Sequence, residues 1–346
     1  MKYLFLTFSA LIVSLASMAY EESVLSPKDP LVGYYKGRIE GATRYPFNVD
    51  KNMCAEIHRG PEGYRIRLMS DVMTRSEIHA EVGGLKAESD LIKLDAAGDW
   101  KLSGTIKPEG FTLAAKVDGK DALLKFEPLK IVSPTMGKRP PKGALVLFDG
   151  SGLDEWKQAF DGTPCVWNLK DGAMISKGLE KNGKKCDGSI VSKRNFGALR
   201  MHIEFKIPAE YSVIQYSRGN SGLYIGPYEI QILDSFGKDG NFGECGSIYR
   251  IIPPKVNACL EPEVWQTFDV EFFPAQFDGD KLVKNPVISV WQNGVRIHFC
   301  EEISRPTNLQ PENVGYKHPQ GKLPIAIQDH WHPVAFRNIW VEEIEK

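Results

Sequence analysis

The sequence predicts an all-β protein, with a jelly-roll sandwich in its C-terminal part preceded by a small antiparallel β domain. Three observations carry that prediction. Short apolar/polar alternations recur along the 346-residue chain; Gly, Pro, Asn and Asp punctuate them at turn spacing; and no run of useful length has a helical period. About a dozen such segments over roughly 200 residues after position 144 suit two packed sheets.

Taken in order, the chain opens with Lys2 and an apolar run from Tyr3 to Val13 and on to Met18, with small residues at Ser17 and Ala19. This pattern reads as a secretory signal over 1–19, too short and wrongly flanked for a membrane span. The mature chain is therefore expected to be exported, periplasmic or extracellular, with no transmembrane anchor. Residues 31–131 alternate in short segments broken at Pro61-Glu62-Gly63, Pro108-Glu109-Gly110 and Asp118-Gly119, which predicts a meander or small barrel. Residues 132–143, containing SPTMGKRPPKG, have the composition of an extended linker.

The second domain is expected over 144–346. LVLFDG is a short strand ending in a turn. From Leu199 to Ile207 the alternation is clean, with Leu199, Met201, Ile203, Phe205 and Ile207 inward and His202, Glu204 and Lys206 outward. A further strand starts at Trp265, the Asn293-Gly294 pair supplies the positive φ angles of a type I′ hairpin turn, and Phe336 to Ile344 forms the closing strand. Trp265, Trp291 and Trp340 lie within these strands and read as core.

Composition narrows the partners. Acids and bases are interspersed and the net charge is −1, so no basic surface marks a nucleic-acid or anionic-membrane ligand. The six cysteines, Cys54, Cys165, Cys186, Cys245, Cys259 and Cys300, show neither CxxC nor zinc-ligand spacing. They allow 15 pairings; nearest-neighbour closure suggests Cys165 with Cys186 and Cys245 with Cys259. His58 and His79 are single and read as surface or hydrogen-bonded strand residues. His202 and His298 fall on polar strand faces and His318 in a loop.

Polar chemistry concentrates in SRGNSGLYIGPYEIQILDS, from Ser217 to Ser235. Tyr228, Ile230 and Ile232 share one strand face, while Glu229 and Gln231 share the other, roughly 7 Å apart along the chain. A carboxylate beside an amide, between glycines, reads as the floor of a cleft. Arg218, Asn220 and Tyr224 precede it as candidate binders of hydroxyl groups. Near the C-terminus, His330 and His332 in DHWH fall on one face of an extended chain, Asp329 is placed to orient a ring or join a cation site, and Trp331 to stack on a sugar ring.

Several segments, in order, carry a family resemblance: LFDGSGLDEW, NSGLYIGPYEIQILDS, CGSIY followed by NACLEPEVWQTFDVEF, VWQNGV, and IAIQDHWHPVAFRNIWV. Over about 144–343 the chain resembles the 3-keto-disaccharide hydrolase family; the resemblance does not reach 20–140. It implies a concanavalin A-like lectin/glucanase sandwich in exported bacterial proteins acting on sugars, with activity on 3-keto-glycosides for some members. The same fold houses laminarinase-type glucanases with an E-x-D-x-x-E strand; here Glu229, Gln231 and Asp234 give E-x-Q-x-x-D. Asp234 would share the Glu229 face only through a one-residue bulge. These departures point away from displacement by a carboxylate pair.

A ketone at C3 acidifies the C2 hydrogen, so a base can abstract it, the C1 substituent can leave, and water can add afterwards. The catalytic candidates are Glu229, Asp234 and His330. Arg218, Asn220, Tyr224, Gln231, Asp329 and Trp331 are the candidate substrate contacts, and a divalent cation is a further candidate, with Glu229 as base or ligand. Two other readings suit the same fold: a non-catalytic carbohydrate-binding module and a laminarinase-like glucanase.

Overall fold

The structure is a computed structural model describing residues 25–40, 52–181, 184–214, 217–307 and 317–344; the signal expected at 1–19 lies outside the described residues. No helix occurs among them, and so none long and apolar enough to cross a membrane.

The first domain is one nine-stranded antiparallel sheet. Its first and last strands, Gly33–Glu40 and Lys120–Leu129, pair at the centre, and the meander runs outward on both sides. Turn chemistry closes the hairpin between Phe111–Val117 and Lys120–Leu129, where Asp118 and Gly119 both adopt positive φ. Phe111–Val117 buries every second residue, as the alternation requires. The domain does not close its own core: Ala209, Tyr211, Phe236 and Leu260 of the second domain join the cluster that contains Leu31, Ile57 and Leu113. Each large apolar side chain withdrawn from water there stabilises by roughly 1.5–3 kcal/mol. The two domains therefore share a core.

The connecting segment, an extended linker by composition, is hydrogen-bonded to the second domain. Ser133 meets Thr267 at 2.6 Å, the Thr135 hydroxyl donates to Asp269 at 2.6 Å, and the Gly137 N–H donates to Glu204 at 2.6 Å. It lies across the outer face of the sandwich because that face supplies acceptors for its backbone and hydroxyl groups.

The second domain is the predicted two-sheet sandwich. One sheet orders Trp156–Gln158, Ile190–Phe196, Leu323–Ile327, Ser221–Ile225 and Tyr228–Ile232 side by side. The facing sheet is built around Ala335–Glu343, Leu199–Lys206, Trp265–Phe273 and Val287–Gln292. Neighbouring strands are mostly distant in sequence, as a jelly roll requires. Met201, Ile203 and Phe205 from one sheet pack with Leu223, Ile230 and Ile325 from the other in one apolar cluster. Asn293 and Gly294 turn the Val287–Gln292 and Val295–Glu302 hairpin with φ of 51° and 79°.

Two readings change. Trp265, Trp291 and Trp340 are absent from the inter-sheet cluster; their neighbours Gln266, Val290 and Val341 alternate inward, which turns the indoles to the outer face, where Trp340 is buried as expected while Trp265 and Trp291 are half-buried. His202 and Glu204 do point outward, yet both are buried, because the connector covers them. The expected Cys165–Cys186 and Cys245–Cys259 disulfides are not formed. Cys245 and Cys259 are nonetheless core neighbours: burial, then a hydrogen bond with Cys245, drives the Cys259 thiol pKa well up.

Candidate active site

Ser221–Ile225 and Tyr228–Ile232 form an antiparallel hairpin whose register sets Tyr224 opposite Glu229 and Gly222 opposite Gln231. Leu223, Ile225, Tyr228, Ile230 and Ile232 face the sandwich interior. Tyr224, Glu229 and Gln231 take the other face, as alternation predicts. Gly222 makes room for the acid: a Cβ there would lie 2.6 Å from Glu229 Oε1. Gly226, with φ of 58°, supplies the turn that brings the strands together.

Glu229 is 3% exposed and forms no ion pair among the described residues. Burial pushes its pKa to about 7, against the opposing pull of a hydrogen bond from Tyr224 and of the Arg250 charge. The Tyr224 phenol, its own pKa well raised by burial and then by Glu229, stays protonated and donates to the carboxylate. Gln328 Nε2 in turn donates to the Tyr224 oxygen at 3.4 Å. A carboxyl poised near neutrality can both take up and release a proton. Gln231 contributes less: its Oε1 accepts from the Ile232 N–H at 3.0 Å and its Nε2 reaches the Gly243 carbonyl at 3.5 Å.

A second group follows the Leu323–Ile327 strand, which pairs with Ser221–Ile225. Asp329 is buried, its N–H donates to Ser189 Oγ, and its Oδ1 accepts from the Trp331 N–H. Burial raises its pKa to about 6, with Asp187 adding in the same direction. The absence of a side chain at Gly188 leaves space for Asp329 Oδ2. Trp331 adopts φ of 66° and its indole lies against Gly178. His330 is exposed and its ring stacks near that of His332, centroids 6.2 Å apart; local desolvation, then His332, holds its pKa down. His332 is buried, and its Nδ1 lies 2.7 Å from Glu210 Oε2, an oxygen that also accepts the Gly219 N–H at 2.7 Å. Glu210 thereby orients His332 beside His330.

Asp234 and Arg218 are placed elsewhere. The strand ends at Ile232, and no bulge returns Asp234 to the Glu229 face. Asp234 instead pairs with Arg218 at 3.2 Å, both buried. Arg218 also donates to the Arg59 carbonyl at 2.9 Å and lies 3.0 Å from His58 Nε2. Burial, then Arg218, lowers the His58 pKa to about 2, so its neutral ring accepts from the guanidinium. This group ties the first domain to the loop after the Glu229 strand. Asn220 is half-buried between that junction and the Ser221–Ile225 strand.

The hairpin thus unites Tyr224, Glu229 and Gln231, while Asp329, His330 and Trp331 share the neighbouring strand end. Glu210, Asp187 and Gln328 were missed by sequence reasoning. Extending the alternation of Pro324 and Ala326 reaches Gln328; nothing local marks Glu210, whose partner is 122 positions away in sequence. Among the described residues no three His, Cys, Asp or Glu side chains cluster as a metal site.

A two-sheet jelly roll with a buried, near-neutral carboxyl and a histidine group on one sheet defines the class: a β-sandwich domain with the makings of an active site. Residues 143–342 match the family described as the 3-keto-alpha-glucoside-1,2-lyase-like domain, and the chain belongs to that family. Among solved structures, a provisionally assigned glycosyl hydrolase from Parabacteroides distasonis is 31% identical, with a TM-score of 0.51 over 59% of this chain and 84% of that one. A second such protein from that organism is 20% identical, with a TM-score of 0.43 over 59% and 95%. No curated protein matches the chain.

Proposed function

We propose that this protein is a carbohydrate-active enzyme that cleaves glycosides bearing a ketone at C3, by eliminating the group on C1. The observation that carries the reading is Glu229: a buried carboxyl with no ion pair among the described residues, held near neutrality on the face of a sheet turned away from the sandwich core, in a family described by lyase chemistry on 3-keto-glucosides. Its carboxylate takes the C2 proton. The electron pair left on C2 delocalises onto the C3 oxygen as an enolate, then re-forms to expel the C1 oxygen, leaving a C1–C2 double bond conjugated with the ketone. The departing oxygen needs a proton, and His330 at the neighbouring strand end is the candidate donor, with His332 and Glu210 positioning it. Addition of water to the double bond would turn the elimination into net hydrolysis.

Retaining hydrolysis by two carboxylates is less well supported. It needs a second acid about 5 Å from the first, and in register Glu229 faces Tyr224 and is followed on its face by Gln231, while Asp234 is tied to Arg218. The leader-like N-terminus supports action after export.

The test supplies the full chain with a 3-keto-disaccharide and its unoxidised parent, with and without divalent cations, and follows release of the C1 substituent. Release from the 3-keto compound alone, abolished in Glu229→Gln, is expected; cleavage of the parent at a similar rate would favour the glucanase, and binding without release the non-catalytic module.

A further inference from the structure

A well-formed hollow lies on the outer face of the opposite sheet. A cavity of about 580 Å3 sits there, floored by the strands and walled by the connector at Pro134, Lys138 and Arg139. This is a volume typical of small-ligand pockets, roughly 300–1,000 Å3.

Register explains its lining. One row across four adjacent strands places Trp340, His202, Asp269 and Trp291 in succession. The row beside it places Glu342, Arg200 and Glu271. Trp340 is sealed under the connector: its Nε1 donates to the Lys138 carbonyl at 3.1 Å and the Lys138 ammonium lies 5.4 Å from its ring centre. Trp291 is only half-buried and borders the cavity. Arg200 is held by Glu271 at 2.8 Å and lies 3.7 Å from Glu342, so its fork is fixed at the rim while its side chain remains 54% exposed.

The charges choose the ligand class. Three bases, Lys138, Arg139 and Arg200, and three acids, Asp269, Glu271 and Glu342, line the cavity. With no net charge it offers nothing to a phosphate or a polyanion. What it offers is an indole wall beside ion-paired groups that keep unused lone pairs and N–H groups, an arrangement suited to the C–H face and hydroxyl edge of a neutral sugar ring. An indole turned outward on a strand whose other face builds the core adds nothing to that core.

We propose that this cavity is a second carbohydrate site, which takes a neutral pyranose unit against Trp291 on the side of the sandwich opposite Glu229. The inference extends the carbohydrate-acting reading but does not depend on the elimination chemistry.

The full chain, labelled with 15N-tryptophan, is titrated with methyl α-D-glucopyranoside and with maltose; the Trp291 indole signal is identified by its loss in Trp291→Phe. A saturable shift of that signal by both sugars is expected in the wild type and equally in Glu229→Gln. Arg200→Ala should weaken it about tenfold, as loss of an anchoring contact does, with cleavage at the Glu229 centre unchanged. The proposal is overturned if the Trp291 signal stays still up to roughly 50 mM sugar, where even millimolar binding saturates, if Arg200→Ala leaves the shift unaltered, or if glucose 6-phosphate shifts it as strongly. A titrating Trp291 signal in a protein that cleaves no 3-keto-glycoside would sink the elimination reading alone.

Discussion

Glu229 and Asp234 stand five positions apart in one segment and are equally withdrawn from water, 3% and 2% exposed, yet they have different partners. Arg218 lies 3.2 Å from Asp234 and offsets the burial that raises its pKa. Glu229 has a phenol and a missing side chain for neighbours, and burial drives its pKa to about 7. The difference teaches that burial alone does not make a carboxyl structural or reactive; the partner decides. A buried acid beside a guanidinium holds two domains together, whereas one beside a neutral donor is available for proton transfer.

The sharpest way to break this contrast is to neutralise each acid. Glu229→Gln should lower turnover of a 3-keto-glycoside by about 10²–10⁴, the range for loss of a general base, with a normal circular dichroism spectrum; retained turnover would remove Glu229 from the chemistry. Arg218→Met, which strands Asp234 without its cation, should cost roughly 3–5 kcal/mol of stability in denaturant melts. If that variant were as stable as the wild type, the junction would not be what holds the domains.

Acidity separates the two further. Because the folded pKa of Glu229 lies above its ordinary value of 4.5, the folded state keeps a proton that the unfolded chain releases. Stability from this group is therefore full below about pH 4.5 and is lost as pH rises towards about 7. The loss is on the order of 3 kcal/mol. Thermal melts of Glu229→Gln against pH should lack that slope, and the variant should outlast the wild type at pH 8. A parallel pair of curves would mean the carboxyl is already ionised at low pH. The smallest effect belongs to Tyr224→Phe: removing the donor should move the acidic limb of the rate profile upward and reduce kcat/KM about three- to tenfold, one neutral hydrogen bond's worth.

Much of the fold was legible from residues. The alternation from Leu199 to Ile207 and from Tyr228 to Ile232, and the Asn293-Gly294 turn, are short-range patterns, and each strand and turn appears where they place it. The face shared by Tyr224, Glu229 and Gln231 follows from the same period. Composition marks the connector as an extended linker but says nothing of Thr267, Glu204 and Asp269, which hold it on the sheet. Trp265 and Trp291 were misplaced for a related reason: an indole suits either side of a sheet, and a cover over the outer side, which buries Trp340 alone of the three, is a tertiary fact.

By itself the sequence determined which segments are strands, which side chains share a face, and that a lone carboxyl and an amide sit where a glucanase-like strand carries acids. Only the tertiary structure decided that Asp234 meets Arg218, that Glu210 reaches His332 across 122 positions, and that Glu229 forms no ion pair among the described residues. The reason is range: backbone periodicity is set by neighbours in the chain, whereas desolvation and ion pairing depend on which distant segments close around a group.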